Sequence, residues 1–200
     1  MNTCYIFGAL QPSKNLMIDE SDLIIAVDKG YSYLKCRNER IDLVVGDFDS
    51  LGYVPIDEET VILPKEKDIT DTHKAIEEGI KKGYKQFVIL GCIGGEKEEH
   101  TIATLQDVYH FSRLGYKFTL YSPNRTYILL NNDSISLEGN SLISILSLSP
   151  ISKGVTLKNL KYELDNKELS FDFPLGVSNE FIQNKKATIE VKDGCLLIIY

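Results

Sequence analysis

Residues 43–50 read Leu-Val-Val-Gly-Asp-Phe-Asp-Ser. Three bulky aliphatic residues in a row suit a short strand buried on both faces, and the Gly-Asp after them ends it. The same order, an apolar run and then a carboxylate, recurs at Leu23-Ile24-Ile25-Ala26-Val27-Asp28-Lys29-Gly30. Further short apolar runs lie at 3–7, 87–90 and 118–121. Between them, segments of helical period intervene. Residues 71–82 place Ile76 and Ile80 four apart and end at Gly83, while 101–114 space Ile102, Leu105, Val108 and Phe111 at helical intervals before Gly115. Short buried strands alternating with helices predict an α/β domain around a largely parallel sheet.

The pattern changes after Pro123. Short runs at 127–130, 142–148, 155–157, 161–164, 169–173, 187–191 and 195–199 are separated by turn residues, and Ala187 is the only alanine after Ala103. This half predicts an all-β domain, a small sandwich or barrel, with tight hairpins at Asp165-Asn166 and Asp193-Gly194. The domain boundary is expected between 124 and 125.

With 200 residues the chain is long enough to hide about 70% of its unfolded surface without disulfides or a structural metal. Its net charge of −7 argues against nucleic-acid binding, which relies on a surplus of cations. A phosphorylated small molecule remains compatible, because a divalent cation held by carboxylates can supply the positive charge. No stretch approaches the roughly 18 apolar residues of a membrane span, and the start has no signal-peptide pattern, so a cytoplasmic protein is expected. The four cysteines are scattered without ligand spacing and read as small buried hydrophobes.

In a parallel sheet, ligands bind at the carboxyl ends of the strands, so the residues just after each apolar run are the candidates for a site. Asp47 and Asp49 are two apart, so in an extended backbone both carboxylates face one side and Phe48 faces the core. An oxygen-only pair of this kind suits Mg²⁺; a polar turn explains the same residues. Thr70 and Asp71 open the first predicted helix, where a Thr cap and an acidic first turn need no ligand. Asp68 lies just before it in a charged loop. The segment Gly91-Cys92-Ile93-Gly94-Gly95-Glu96-Lys97-Glu98-Glu99-His100 could turn backbone N–H groups toward phosphate, but it has neither the P-loop nor the dinucleotide-fold order. His73 and His110 are expected on helix surfaces. Gly176-Val177-Ser178-Asn179-Glu180-Phe181 combines polar and aromatic groups of the kind that bind and stack on a heterocycle, or simply forms a loop.

Taken together and in order, these segments resemble the thiamine pyrophosphokinase family of bacterial type. Asp28-Lys29-Gly30 with Leu34 is similar to the family's DGG element, 46–50 is its GDFDS, 67–71 its KDxTD, and 176–181 its GxSNEF. The resemblance implies a Rossmann-like domain over 1–124 that binds ATP and Mg²⁺, and a β-sandwich over 125–200 that binds thiamine. It implies transfer of a pyrophosphoryl group from ATP to the hydroxyethyl oxygen of thiamine, in a homodimer whose sites lie between subunits. Asp47, Asp49 and Asp71 would hold the metal and serve catalysis, with Asp71 a candidate to accept the hydroxyl proton. Asp28, Gly30, Asp68, Thr70, Lys97 and His100 would lie at the nucleotide, and Ser178, Asn179 and Phe181 at thiamine.

The chain departs from the family where GxxGGRxDH is expected. Gly94-Gly95-Glu96-Lys97-Glu98-Glu99-His100 is one residue longer and puts Lys97 in the place of an Arg, a point charge for a planar two-toothed clamp. That change defines the alternative reading: a relative that binds thiamine or its diphosphate with little turnover. A metal-dependent nucleotide hydrolase would use the same carboxylates without thiamine.

Overall fold

The computed structural model describes residues 2–11, 14, 16–56 and 58–200. The chain divides into two compact units, one of Met1–Val108 with Phe118–Asn124 and the other of Tyr109–Lys117 with Arg125–Tyr200.

In the first unit, β1 (Thr3–Phe7), β2 (Leu23–Val27), β3 (Leu43–Gly46), β4 (Thr60–Ile62) and β5 (Gln86–Leu90) lie in the order β5-β1-β2-β3-β4, with every pair parallel. β6 (Lys117–Tyr121) lies beyond β5. β2 and β3 are buried at every position, as continuous aliphatic runs require. Helix α1 covers Gly30–Cys36, α2 Asp71–Lys81 and α3 Glu98–Ser112. α2 is capped by Thr70, buries Ala75, Ile76 and Gly79 against the sheet, and ends before Gly83 at φ +91°, the left-handed position that glycine tolerates. The sequence pattern does not reveal α1. It is seven residues long and its cap residue, Lys29, makes no side-chain cap hydrogen bond, so no start signal marks it.

The second unit holds β7 (Thr126–Asn131), β8 (Ser134–Leu137), β9 (Leu142–Ser147), β10 (Ile151–Lys158), β11 (Leu164–Ser170), β12 (Asn179–Glu180), β13 (Ala187–Glu190) and β14 (Cys195–Ile199). Two antiparallel sets form, β12-β9-β14-β7 and β11-β10-β13-β8, so that β14 pairs with β7 on one side and β9 on the other. Ile143, Ile145, Val155, Leu157, Ile189 and Ile198 form part of their shared core.

Both expected hairpins differ. Asp165-Asn166 sits inside β11, which joins the runs predicted as two strands. Pairing passes from Leu157 with Leu164 to Val155 with Lys167, an extra residue on β11, and Asn166 takes φ +49°. The dipeptide is a β-bulge, because Asn tolerates the left-handed turn of a bulge as readily as that of a hairpin. Asp193-Gly194 connects β13 to β14, which belong to different sets, so it carries the chain across rather than folding it back on a paired strand.

Candidate active site

Two carboxylates lie just past the ends of β2 and β3. Asp28 leaves β2 at φ +46°, its N–H donating to Val45 O at 3.1 Å and its carbonyl accepting from Tyr31 N at 3.0 Å. Any side-chain carbon on Gly46 would collide with Asp28 Oδ1, so the glycine makes room for the carboxylate. Gly30 has a comparable role one turn on: a Cβ there would strike the carbonyl of Phe7 at the end of β1. Asp28 Oδ1 is buried with no hydrogen-bond partner. Burial first, then the charges of Asp71 and Asp47, push the Asp28 carboxyl up to about 6, against the Phe48 N–H and the Lys67 ammonium.

The 47–50 segment is not extended, contrary to the alternation inferred from its sequence. Phe48 is left-handed at φ +60°, and its carbonyl accepts from Leu51 N at 3.2 Å and Gly52 N at 3.0 Å. A bulky residue in this conformation is strained, and burial of the ring against the α1 side of the sheet holds it there. Phe48 does enter the core, but the turn sends Asp49 to the surface, while the Asp49 N–H donates to Asp47 Oδ1 at 3.2 Å.

Lys67 is the residue that sequence reasoning passed over. Its ammonium donates to Asp47 Oδ2 at 3.3 Å and to Asp71 Oδ1, joining the end of β3 to the first turn of α2. Burial opposes the charge on Asp47, but the Asp49 N–H and Lys67 outweigh it and hold the carboxyl below its ordinary range. Lys67 lies before α2, so the helical i, i+4 rule did not single out its pairing with Asp71. Among the described residues no group of three or more His, Cys, Asp or Glu side chains is set to hold a metal ion; Lys67 lies between two of the expected ligands. The donor set nevertheless fits a hard divalent cation: all its atoms are carboxylate oxygens, one of them buried and unpartnered, and a cationic side chain already neutralises two of the others.

Around this group, Thr70 caps α2 by accepting from His73 N at 2.9 Å, and its hydroxyl donates to Asp107 Oδ2 at 2.7 Å. His73 is not a free surface residue: its Nδ1 lies 2.8 Å from Asp107 Oδ1. Asp68, Lys97 and His100 are exposed. The glycine segment comes after β5 and beside β1, where Gly8 N donates to Leu90 O at 2.7 Å and Leu10 N to Gly91 O at 3.0 Å. Gly94 N is taken by Thr101 Oγ1 at 3.0 Å. Cys92, expected to be an inert thiol, has its pKa pushed up to about 11 by burial.

In the second unit, Ser178 is exposed and left-handed at φ +59°, with its N–H donating to Ser144 Oγ at 3.1 Å. Asn179 is buried and both ends of its amide are engaged: Oδ1 accepts from Tyr162 N at 3.0 Å and Glu180 N at 2.8 Å, and Nδ2 donates to Tyr162 O at 2.7 Å. Phe181 lies in the core, edge-on to Tyr200. Ser178 is thus the exposed polar group of the three, while Asn179 and Phe181 fix the segment that presents it.

The family model "Thiamin pyrophosphokinase, catalytic domain" matches residues 15–120, and "Thiamin pyrophosphokinase, vitamin B1 binding domain" matches 133–196. The chain belongs to the thiamin pyrophosphokinase family. A thiamine pyrophosphokinase of Bacillus subtilis (strain 168) is 26% identical over 194 residues, covering 90% of this chain and 88% of the relative. A crystal structure of thiamine pyrophosphokinase from Bacillus subtilis superposes with a TM-score of 0.83 at 25% identity, covering 99% of this chain and 98% of the other. A family protein from Enterococcus faecalis gives 0.81 at 24%, covering 100% and 98%. Both family parts are matched in order, which makes the chain an enzyme of this class and disfavours the reading as a binding relative without turnover.

Proposed function

We infer that the chain transfers the pyrophosphoryl group of ATP to the hydroxyethyl oxygen of thiamine, releasing AMP and thiamine diphosphate. The observation that carries the chemistry is the coupling of Asp28, Asp47 and Asp71 around Lys67, beside the carboxyl ends of β2 and β3. Asp47, Asp71 and, once its side chain turns inward, Asp49 are the proposed holders of Mg²⁺, which when bound neutralises triphosphate charge. Asp28 completes the acidic wall, and Gly30 lets the α1 start approach β1 beside it. Asp68, Thr70, Lys97 and His100 are assigned to the nucleotide side, Thr70 through its cap. Displaced from the carboxylates, Lys67 becomes free to donate to phosphate oxygens.

The transfer asks little covalent chemistry of the protein and much positioning. The thiamine oxygen attacks the β-phosphorus in line with departing AMP, and Asp71 is the proposed acceptor of its proton. Ser178 faces thiamine, held by the Asn179 clamp and by Phe181. A Rossmann-like first unit, a β-sandwich second unit, a homodimer with sites between subunits and a cytoplasmic location complete the reading. No helix among the described residues is long and apolar enough to cross a membrane.

Incubation with ATP, Mg²⁺ and thiamine should release AMP and thiamine diphosphate one for one, and Asp49→Asn should lower turnover by about a hundredfold or more. ADP as the product, or no product from the wild type, overturns the inference.

A further inference from the structure

Asp107 lies outside the motifs above, yet both of its carboxylate oxygens are spent at the start of α2. Oδ2 accepts from the Thr70 hydroxyl at 2.7 Å and Oδ1 lies 2.8 Å from His73 Nδ1. A carboxylate can only accept, so Nδ1 carries the proton and His73 donates. The Thr70 hydroxyl, its one proton committed to Asp107, uses a lone pair to accept from the His73 N–H at 2.9 Å. Thr70, His73 and Asp107 therefore form a closed ring of three hydrogen bonds that joins the cap and first turn of α2 to the middle of α3. The Asp107 side chain is 15% exposed and that of His73 20%, so the His73–Asp107 bond is partly shielded from water, while Thr70 lies at the surface.

Asp71 lies inside the segment that this ring spans. Its backbone is fixed on one side by the Thr70 cap and on the other by His73, and its carboxylate meets Lys67. We propose that Asp107 is a positioning residue for the transfer: through Thr70 and His73 it sets where Asp71 stands, without itself touching substrate. This rests on the function inferred above.

Asp107→Asn keeps the volume of the side chain but removes one of the two acceptors. At saturating ATP, Mg²⁺ and thiamine, kcat should fall by about tenfold to a hundredfold while the KM for thiamine stays within about twofold. Asp107→Glu should recover part of the loss. Combining Asp107→Asn with Thr70→Val should lower kcat no further than the worse single variant, because both break one ring. Backbone amide hydrogen exchange at 71–74 reads the ring independently of turnover and should accelerate in Asp107→Asn. The proposal is overturned by unchanged exchange, by faster exchange with wild-type kcat, or by losses that add. If the wild type forms no AMP, the function reading fails while exchange still decides whether the ring exists.

Discussion

Asp28 combines the features of a group held ready for a cation. Its backbone is left-handed, Gly46 has given up a side chain to admit it, and one oxygen is sealed without a donor. Its carboxyl titrates at about 6 in the folded chain against an ordinary 3.8. A carboxyl whose folded pKa is raised takes up a proton on folding between the two values, so stability falls as the pH rises through this window from about 4 to about 6. The penalty persists at neutral pH. Asp28→Asn should therefore stabilise the chain by about 2 kcal/mol at pH 7 and flatten this part of the pH profile, read by urea unfolding at pH 4 and pH 7 without divalent cations. Loss of stability at pH 7 in the variant would contradict the assignment. Among the described residues, left-handed backbone outside glycine falls on five asparagines and on Asp28, Phe48 and Ser178. Asparagine adopts it at little cost; the other three lie in the motifs.

At the scale of elements, periodicity located the strands and helices that bury a face over several turns or on both sides of the sheet. β2, with five aliphatic or small residues in a row, and α2, with a Thr cap and a terminal glycine, are examples. It did not locate α1 or the three-residue edge strand β4, whose partner lies on one side only. The site was legible as residue types but not as geometry. The grouping of Asp47, Asp49 and Asp71 comes from the family resemblance; the structure joins Asp47 and Asp71 through Lys67 and leaves Asp49 exposed. That Lys67 bridges two of them, that Asp49 turns outward, and that Asp107 reaches Thr70 depend on contacts between segments up to 37 positions apart. The bulge in β11 has its own measurable consequence. Asn166→Val places a β-branched residue at φ +49° and should destabilise the chain by about 1–2 kcal/mol in urea, whereas Asn166→Gly should be near neutral.

For the whole molecule, 29 acidic against 22 basic residues repel an anionic nucleotide before any contact is made. Affinity for ATP should accordingly fall by about tenfold or more when Mg²⁺ is chelated, and raising ionic strength from about 0.01 to 0.15 M should recover part of it by screening. Titration calorimetry with and without the cation checks this; equal affinity in both would show that the carboxylates do not bear on the nucleotide.

The place of β14 bears on how the second unit is made. β7 and β9 are each paired with it, so neither can complete its ladder until a strand encoded more than 45 residues after β9 arrives. Closure is non-local, the slow kind of step, and until it happens two apolar strand edges stand open to other chains. Folding of this half is thus governed by a late event, and aggregation during synthesis or refolding should respond more sharply to changes in Leu196, Leu197 and Ile198 than to equally buried positions in β2.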